Sequence, residues 1–169
     1  MLANFFKKQS IGFFVSAATF IIGLIAMIIY FVGCGAAGYF QEGYVANTTL
    51  FVFLGLAALL IALLLSQVKG KGILGLVLSI LRGALMVGGS TFFMAAMMYF
   101  IYDRSEGFGY IFGSNPEILA TIQTPENMLS ANLAITTIVF LGITIVAAWV
   151  ATFFSLSVKK EEAAVAEAK

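Results

Sequence analysis

Histidine is absent from the chain, and cysteine occurs once, as Cys34. Without histidine the usual general base, the commonest metal ligand and the usual haem ligand are missing. A single cysteine excludes an internal disulfide and any thiol–disulfide relay within the chain. Charge is scarce too: 10% of residues carry one, nine basic against eight acidic. Basic residues so few and scattered leave no nucleic-acid footprint. No cofactor and no metal are expected.

What is present is apolar. Of the 169 residues, 62% are hydrophobic, and the mean hydropathy is +1.05. A soluble domain this small could not bury that much apolar surface. Long apolar runs between short polar breaks read as membrane-spanning helices, and they do not alternate as barrel strands would. The expected architecture is all-α: a polytopic membrane four-helix bundle forming a single domain over 1–169, embedded in a lipid bilayer. Its spans are expected at about 11–32, 47–66, 73–102 and 126–158. Asn47 or Thr48 can cap the second.

Residues 33–46 and 103–125 are the expected outer loops, and 159–169 a cytoplasmic tail. Within the second loop, Ser114-Asn115-Pro116-Glu117 offers a capping residue, a proline at a first helical position and an acid in the first turn. A short interfacial helix over 116–123 follows. Thr124-Pro125-Glu126 repeats the pattern and should start the last span. Four spans place Lys7, Lys8, Lys69, Lys71, Lys159, Lys160 and Lys169 on one side, with only Arg104 clearly on the other. The positive-inside rule then makes both termini cytoplasmic, in an inner or plasma membrane. The outer face is acidic, through Glu42, Asp103, Glu106, Glu117 and Glu126. All six tyrosines also fall on or near it, as an aromatic belt and cap.

The first run has a competing reading as a secretory signal, and Phe31-Val32-Gly33-Cys34 resembles a bacterial lipobox. The apolar stretch is longer than the usual ~7–15 residues, and Phe31 stands where leucine is usual. A retained helix is the better reading, and the mass of the mature protein decides it.

Arg82 is the one charge inside an apolar run. In hydrocarbon it costs at least ~2.5–3.5 kcal/mol unless paired or snorkelling. Counting back from Tyr102 at about 1.5 Å per residue sets Arg82 one core thickness away, at the inner interface, as a snorkelling charge or a lipid-headgroup contact. Gly75, Ser79, Gly83, Ala84 and Gly88 form a ladder of small residues that lets helix backbones approach. The favoured use is packing within the bundle, which would make the third helix its spine; a face for another membrane protein is the alternative. Met94, Met97 and Met98 read as gap-fillers. Gly88-Gly89-Ser90 lacks a base that could make its serine a nucleophile. Thr136, Thr137 and Thr144 can bond to their own helix.

The stretch from Asp103 to Ser114 (DRSEGFGYIFGS), the later Ala131-Asn132-Leu133-Ala134, and Phe153-Phe154 ahead of Lys159-Lys160 resemble a group of uncharacterised bacterial four-span proteins. Members of that group are often encoded beside membrane-anchored glycoside hydrolases of the β-glucosidase type. The resemblance implies no catalytic residues. It implies a partner: another membrane protein, or an extracytoplasmic enzyme with its own membrane helix. The expected function is therefore a non-enzymatic accessory or scaffold protein, with Tyr102, Arg104, Tyr110, Phe112 and Glu117 as its partner surface. A small transporter or channel subunit, lined by Thr136, Ser90 and Arg82, is the alternative. An intramembrane enzyme lacks acid–base groups.

Overall fold

The structure, a computed structural model, describes residues 9–68, 70, 72–154 and 156. Among the described residues there are five helices: α1 Ile11–Gly35, α2 Ala46–Ser66, α3 Gly72–Gly113, α4 Pro116–Ile122 and α5 Pro125–Thr152. All but α4 are long and apolar enough to cross a membrane, which makes this a multi-pass membrane protein. Consecutive spans run antiparallel and close a ring, α1 against α2, α2 against α3, α3 against α5 and α5 against α1.

The helices are built inside out relative to a soluble bundle. On α1 the buried residues are Gly12, Ser16, Thr19, Gly23, Ala26, Tyr30 and Cys34, nearly all small and spaced by three or four. Its large side chains, such as Ile21, Ile28 and Val32, point outward. In lipid the hydrophobic effect does not drive helices together, so close backbone approach and dispersion must, and small inward residues provide both. The approach is tightest around Phe93 of α3, which is fully buried. A Cβ at Gly23 would lie 3.0 Å from its ring, and one at Gly55 only 2.9 Å. Phe93, Leu59, Met86 and Leu141 fill the middle of the bundle.

The ends of the elements follow from local chemistry. Ser10, Asn115 and Thr124 cap α1, α4 and α5, each accepting a bond from a backbone N–H three residues on. Pro116 and Pro125 stand at the first helical position, where the missing N–H costs nothing. Thr136, Thr137 and Thr144 donate to the carbonyls of Asn132, Leu133 and Phe140 on their own helix. Thr48 does not cap α2. Its hydroxyl crosses to Ala96 O of α3 at 3.2 Å, while the N-cap position is Val45.

Other boundaries also depart from the sequence reading. The third span was expected to end at Tyr102 and give way to a loop. Instead α3 continues unbroken to Gly113, 42 residues in all, or about 63 Å. No proline interrupts residues 103–113, the helix runs through Gly107 and Gly109, and Phe100, Arg104, Gly107 and Ile111 continue its buried stripe. The last span was expected to reach residue 158, whereas α5 stops at Thr152. The expected tail, 159–169, and Lys7, Lys8, Lys69 and Lys71 lie outside the described residues.

The small-residue ladder is not the packing spine. Ser79, Gly83 and Ala84 are exposed, and a Cβ at Gly83 or Gly88 would meet nothing within 4 Å. Gly75 touches only the preceding turn, at Gly70. The stripe lies on the outward side of α3 because its buried face is set by Met86, Gly89, Phe93 and Ala96. Arg82 is half-buried, and its Nε and Nη2 donate to Leu65 O at 3.0 Å and Val68 O at 2.7 Å. It thereby binds carbonyls at the C-terminal end of α2, where a cation also complements the helix dipole.

Candidate functional site

One end of the bundle is capped. Residues 36–45, the part of α3 beyond Tyr102, and α4 fold together over the ends of α1 and α5. Gly107 makes this possible, since a Cβ there would lie 2.7 Å from Phe40 Cζ and 2.8 Å from Tyr39 Cε1. Phe40 and Tyr39 therefore rest directly on the α3 backbone. Gly38 has φ +131° and sits against Glu126 O and Ser130 Cβ, so a side chain there would be both strained and obstructed. Phe40 N–H donates to Ser130 Oγ at 3.1 Å, and Val45 N–H to Tyr30 Oη at 2.9 Å. Gln123 Nε2 donates to Ile111 O at 3.0 Å, tying the end of α4 to α3.

Arg104 is the centre of this cap. Expected on the partner surface, it is instead 4% exposed. The reason is the extra length of α3: one helical turn beyond Phe100, position 104 still faces inward. Its Nη2 donates to Gly43 O and reaches Cys34 Sγ at 3.9 Å. Nη1 pairs with Asp103 Oδ2 at 3.4 Å. The guanidinium lies 4.6 Å from the Phe40 ring centroid and 5.2 Å from that of Phe100. Cation–π contact is strongest in such desolvated settings. Nε has no partner among the described residues.

Beside Arg104 is a small cavity of about 10 Å³, lined among others by Tyr30, Cys34, Phe40, Phe100, Ser130 and Thr137. No acidic residue lines it. The sequence reading placed Cys34 in the first outer loop and gave Thr137 a bond to its own helix, and it did not single out Ser130. The stripe Phe93, Ala96, Phe100, Arg104, Gly107, Ile111 carries the helical period past Tyr102, and it was the available clue. Among the described residues no group of histidine, cysteine, aspartate and glutamate could hold a metal ion.

The other predicted surface residues are where a partner could reach them. Tyr102 is 83% exposed, and Tyr110 and Phe112 are also open. Glu117 is exposed on α4. All six tyrosines gather at this end: Tyr30 against Phe100, Tyr39 against Tyr110, Tyr44 against Phe31, Tyr99 against Phe51 and Tyr102 on the surface. The exposed charged residues there, Glu42, Asp103, Glu106, Glu117 and Glu126, are all acidic. No family model matches the chain, and no curated protein or solved structure matches it either.

Proposed function

We propose that the protein is a non-enzymatic accessory or scaffold protein of a cell membrane that docks a partner through its capped end. The observation that carries this reading is the rigid extension of α3 past the span. It presents Tyr102, Tyr110 and Phe112 beside acidic groups on a platform braced from inside by Arg104. Exposed aromatic groups on a preorganised surface are the usual anchors of protein interfaces. In this reading the capped end faces outward and both termini are cytoplasmic, as the placement of the lysines favours.

The fitting partner offers apolar and basic groups at the outer membrane surface. The likeness of residues 103–114 to the four-span proteins described above supports a membrane-anchored extracytoplasmic glycoside hydrolase as that partner. Purification in mild detergent, cross-linking and mass spectrometry test the proposal. One membrane or membrane-anchored protein is expected to co-purify, and to be lost from a Tyr102→Ala/Tyr110→Ala double variant that keeps the wild-type melting temperature. A strictly monomeric protein with no co-purifying partner overturns it. The filled centre around Phe93 and Leu141 favours this reading over a transporter or channel subunit; ion or solute flux in reconstituted liposomes would reverse that preference.

A further inference from the structure

The geometry points to a binding site at Arg82 for the phosphate of one net-anionic membrane phospholipid. Arg82 is at the end of the bundle opposite the cap, so the site is independent of what the cap docks. The first observation is a free guanidinium edge. A guanidinium presents its N–H groups as one fork at its side and another at its end. Arg82 uses the side fork within the protein: Nε donates to Leu65 O at 3.0 Å and Nη2 to Val68 O at 2.7 Å. The end fork, Nη1 with the second hydrogen of Nη2, has no partner among the described residues. The two carbonyls hold the group in place and leave that fork at the protein surface. Two parallel N–H groups in fixed positions match two oxygens of a phosphate.

The second observation is another donor beside it. Ser79 and Arg82 are both on α3, at the i and i+3 spacing that puts them on one face. Ser79 is exposed, and its hydroxyl makes no hydrogen bond among the described residues. On the same helix Ser90 and Thr91 instead donate to Val87 O. Gly83 adds room, because a Cβ there would meet nothing within 4 Å and the flank next to Arg82 is open.

The third observation is depth and charge. Apart from Ser79, the residues from Ile73 to Leu81 are apolar or glycine, and Ile73, Leu76 and Ile80 are mostly exposed. Such a stretch is drawn toward hydrocarbon, so Arg82 lies no farther out than the lipid phosphates. Its free fork therefore meets phosphate oxygen rather than bulk water. Every carboxylate among the described residues is at the capped end, and none pairs with Arg82. Lys69 and Lys71 stand in the sequence between Val68 and α3 and add positive charge to that connection. A net-anionic lipid is favoured over a zwitterionic one, whose ammonium would bring positive charge back to the site. The bound headgroup would join the C-terminal end of α2 to the start of α3.

The test uses the full chain, delipidated in mild detergent and titrated with phosphatidylglycerol or phosphatidylcholine, with occupancy read by native mass spectrometry. Wild type is expected to bind one phosphatidylglycerol at least about tenfold more tightly than phosphatidylcholine. Arg82→Gln removes the fork and should weaken that binding about ten- to hundredfold, and Ser79→Ala about fivefold. Gly83→Leu fills the open flank without touching a charge and should weaken it as well. Where Arg82→Gln does not fold, Ser79→Ala decides, since its side chain is exposed. Equal affinity for the two lipids marks an ordinary snorkelling charge and overturns the proposal. Wild-type phosphatidylglycerol affinity in the deciding variant overturns it too. Displacement of phosphatidylglycerol by millimolar inorganic phosphate would mark a site for a soluble anion and overturn the assignment to a lipid.

Discussion

Gly43→Ala should unlock the cap and expose Cys34. Gly43 is not among the positive-φ glycines, so alanine can take its backbone conformation. The obstacle is steric. A Cβ there would overlap Arg104 Nη1 and lie 2.8 Å from Nη2 and 3.0 Å from Cζ. The guanidinium must then leave Gly43 O. The loss is one charge-assisted hydrogen bond, about 1.5–3 kcal/mol, plus part of the Phe40 cation–π contact, about 0.5–2 kcal/mol. Partial re-solvation of Arg104 offsets some of this, leaving a net loss of about 2–3 kcal/mol. Phe40 N–H on Ser130 and Glu42 N–H on Cys34 O still hold the loop, so the cap opens more often without falling apart.

Cys34 makes the opening measurable. It is 1% exposed beneath the loop and is the chain's only cysteine, so no engineering is needed. When labelling requires opening, the rate scales with the open population, and each ~1.4 kcal/mol is tenfold. A membrane-impermeant maleimide should therefore modify Gly43→Ala about 30- to 150-fold faster than wild type. Gly35→Ala is the control: a Cβ there meets nothing within 4 Å, and labelling should stay within about twofold. Both proteins must label fully in denaturing detergent, where a lipid-blocked Cys34 would not react at all. In sealed vesicles the same reagent reports which side the cap faces. Wild-type labelling kinetics in folded Gly43→Ala would falsify the assignment of Arg104 as the latch.

Four further outcomes test the packing. Phe93→Ala should cost about 2.4 kcal/mol in SDS-titration unfolding, from roughly 100 Å³ of new cavity at about 24 cal/mol per Å³, because the transfer contribution largely cancels when lipid is the alternative environment. Gly55→Ala should cost about 1–3 kcal/mol alone and clearly less beside Phe93→Ala; additive costs would reject the contact between them. Ser16→Ala should be neutral or stabilising by up to about 1 kcal/mol in the same titration, since Ser16 Oγ is buried without a partner among the described residues. Arg82→Gln should cost about 1–2 kcal/mol by releasing the end of α2, and Arg82→Ala should cost no less.

The sequence made the spans legible because lipid demands long uninterrupted apolar helices, and it made the caps of α4 and α5 legible because Asn115-Pro116 and Thr124-Pro125 encode them locally. It could not assign the faces. In a soluble helix the polar side identifies solvent. In α3 both sides are apolar, so Gly83 and Gly88, which face outward, look the same on paper as Gly23 and Gly55, which pack on Phe93. Spacing alone shows that a small stripe exists, whereas which stripe is buried depends on where Phe93 and Met86 must go. Arg104 was misplaced for a related reason. Its charged neighbours Asp103 and Glu106 suggested a loop, and no local rule weighed them against the apolar stripe running on to Ile111.

The two arginines of α3 give that helix its frame. They are 22 positions apart on one continuous helix, or about 33 Å, close to the ~30 Å of a hydrocarbon core. Each is held by backbone carbonyl oxygen at one end of α2: Arg82 by Leu65 and Val68 at its C-terminal end, Arg104 by Gly43 just ahead of its start. The span proper therefore lies between them, and α3 overruns it at both ends. At the capped end the overrun is covered by Tyr39 and Phe40 and becomes a platform. At the other end only Leu78 of residues 73–81 is buried among the described residues, and Ile73 is 83% exposed. An apolar helix end of that kind is kept in hydrocarbon only through tilt or local thickening of the bilayer. The start of α3 thus depends on the bilayer, whereas its far end is tied by Arg104 to the loop ahead of α2.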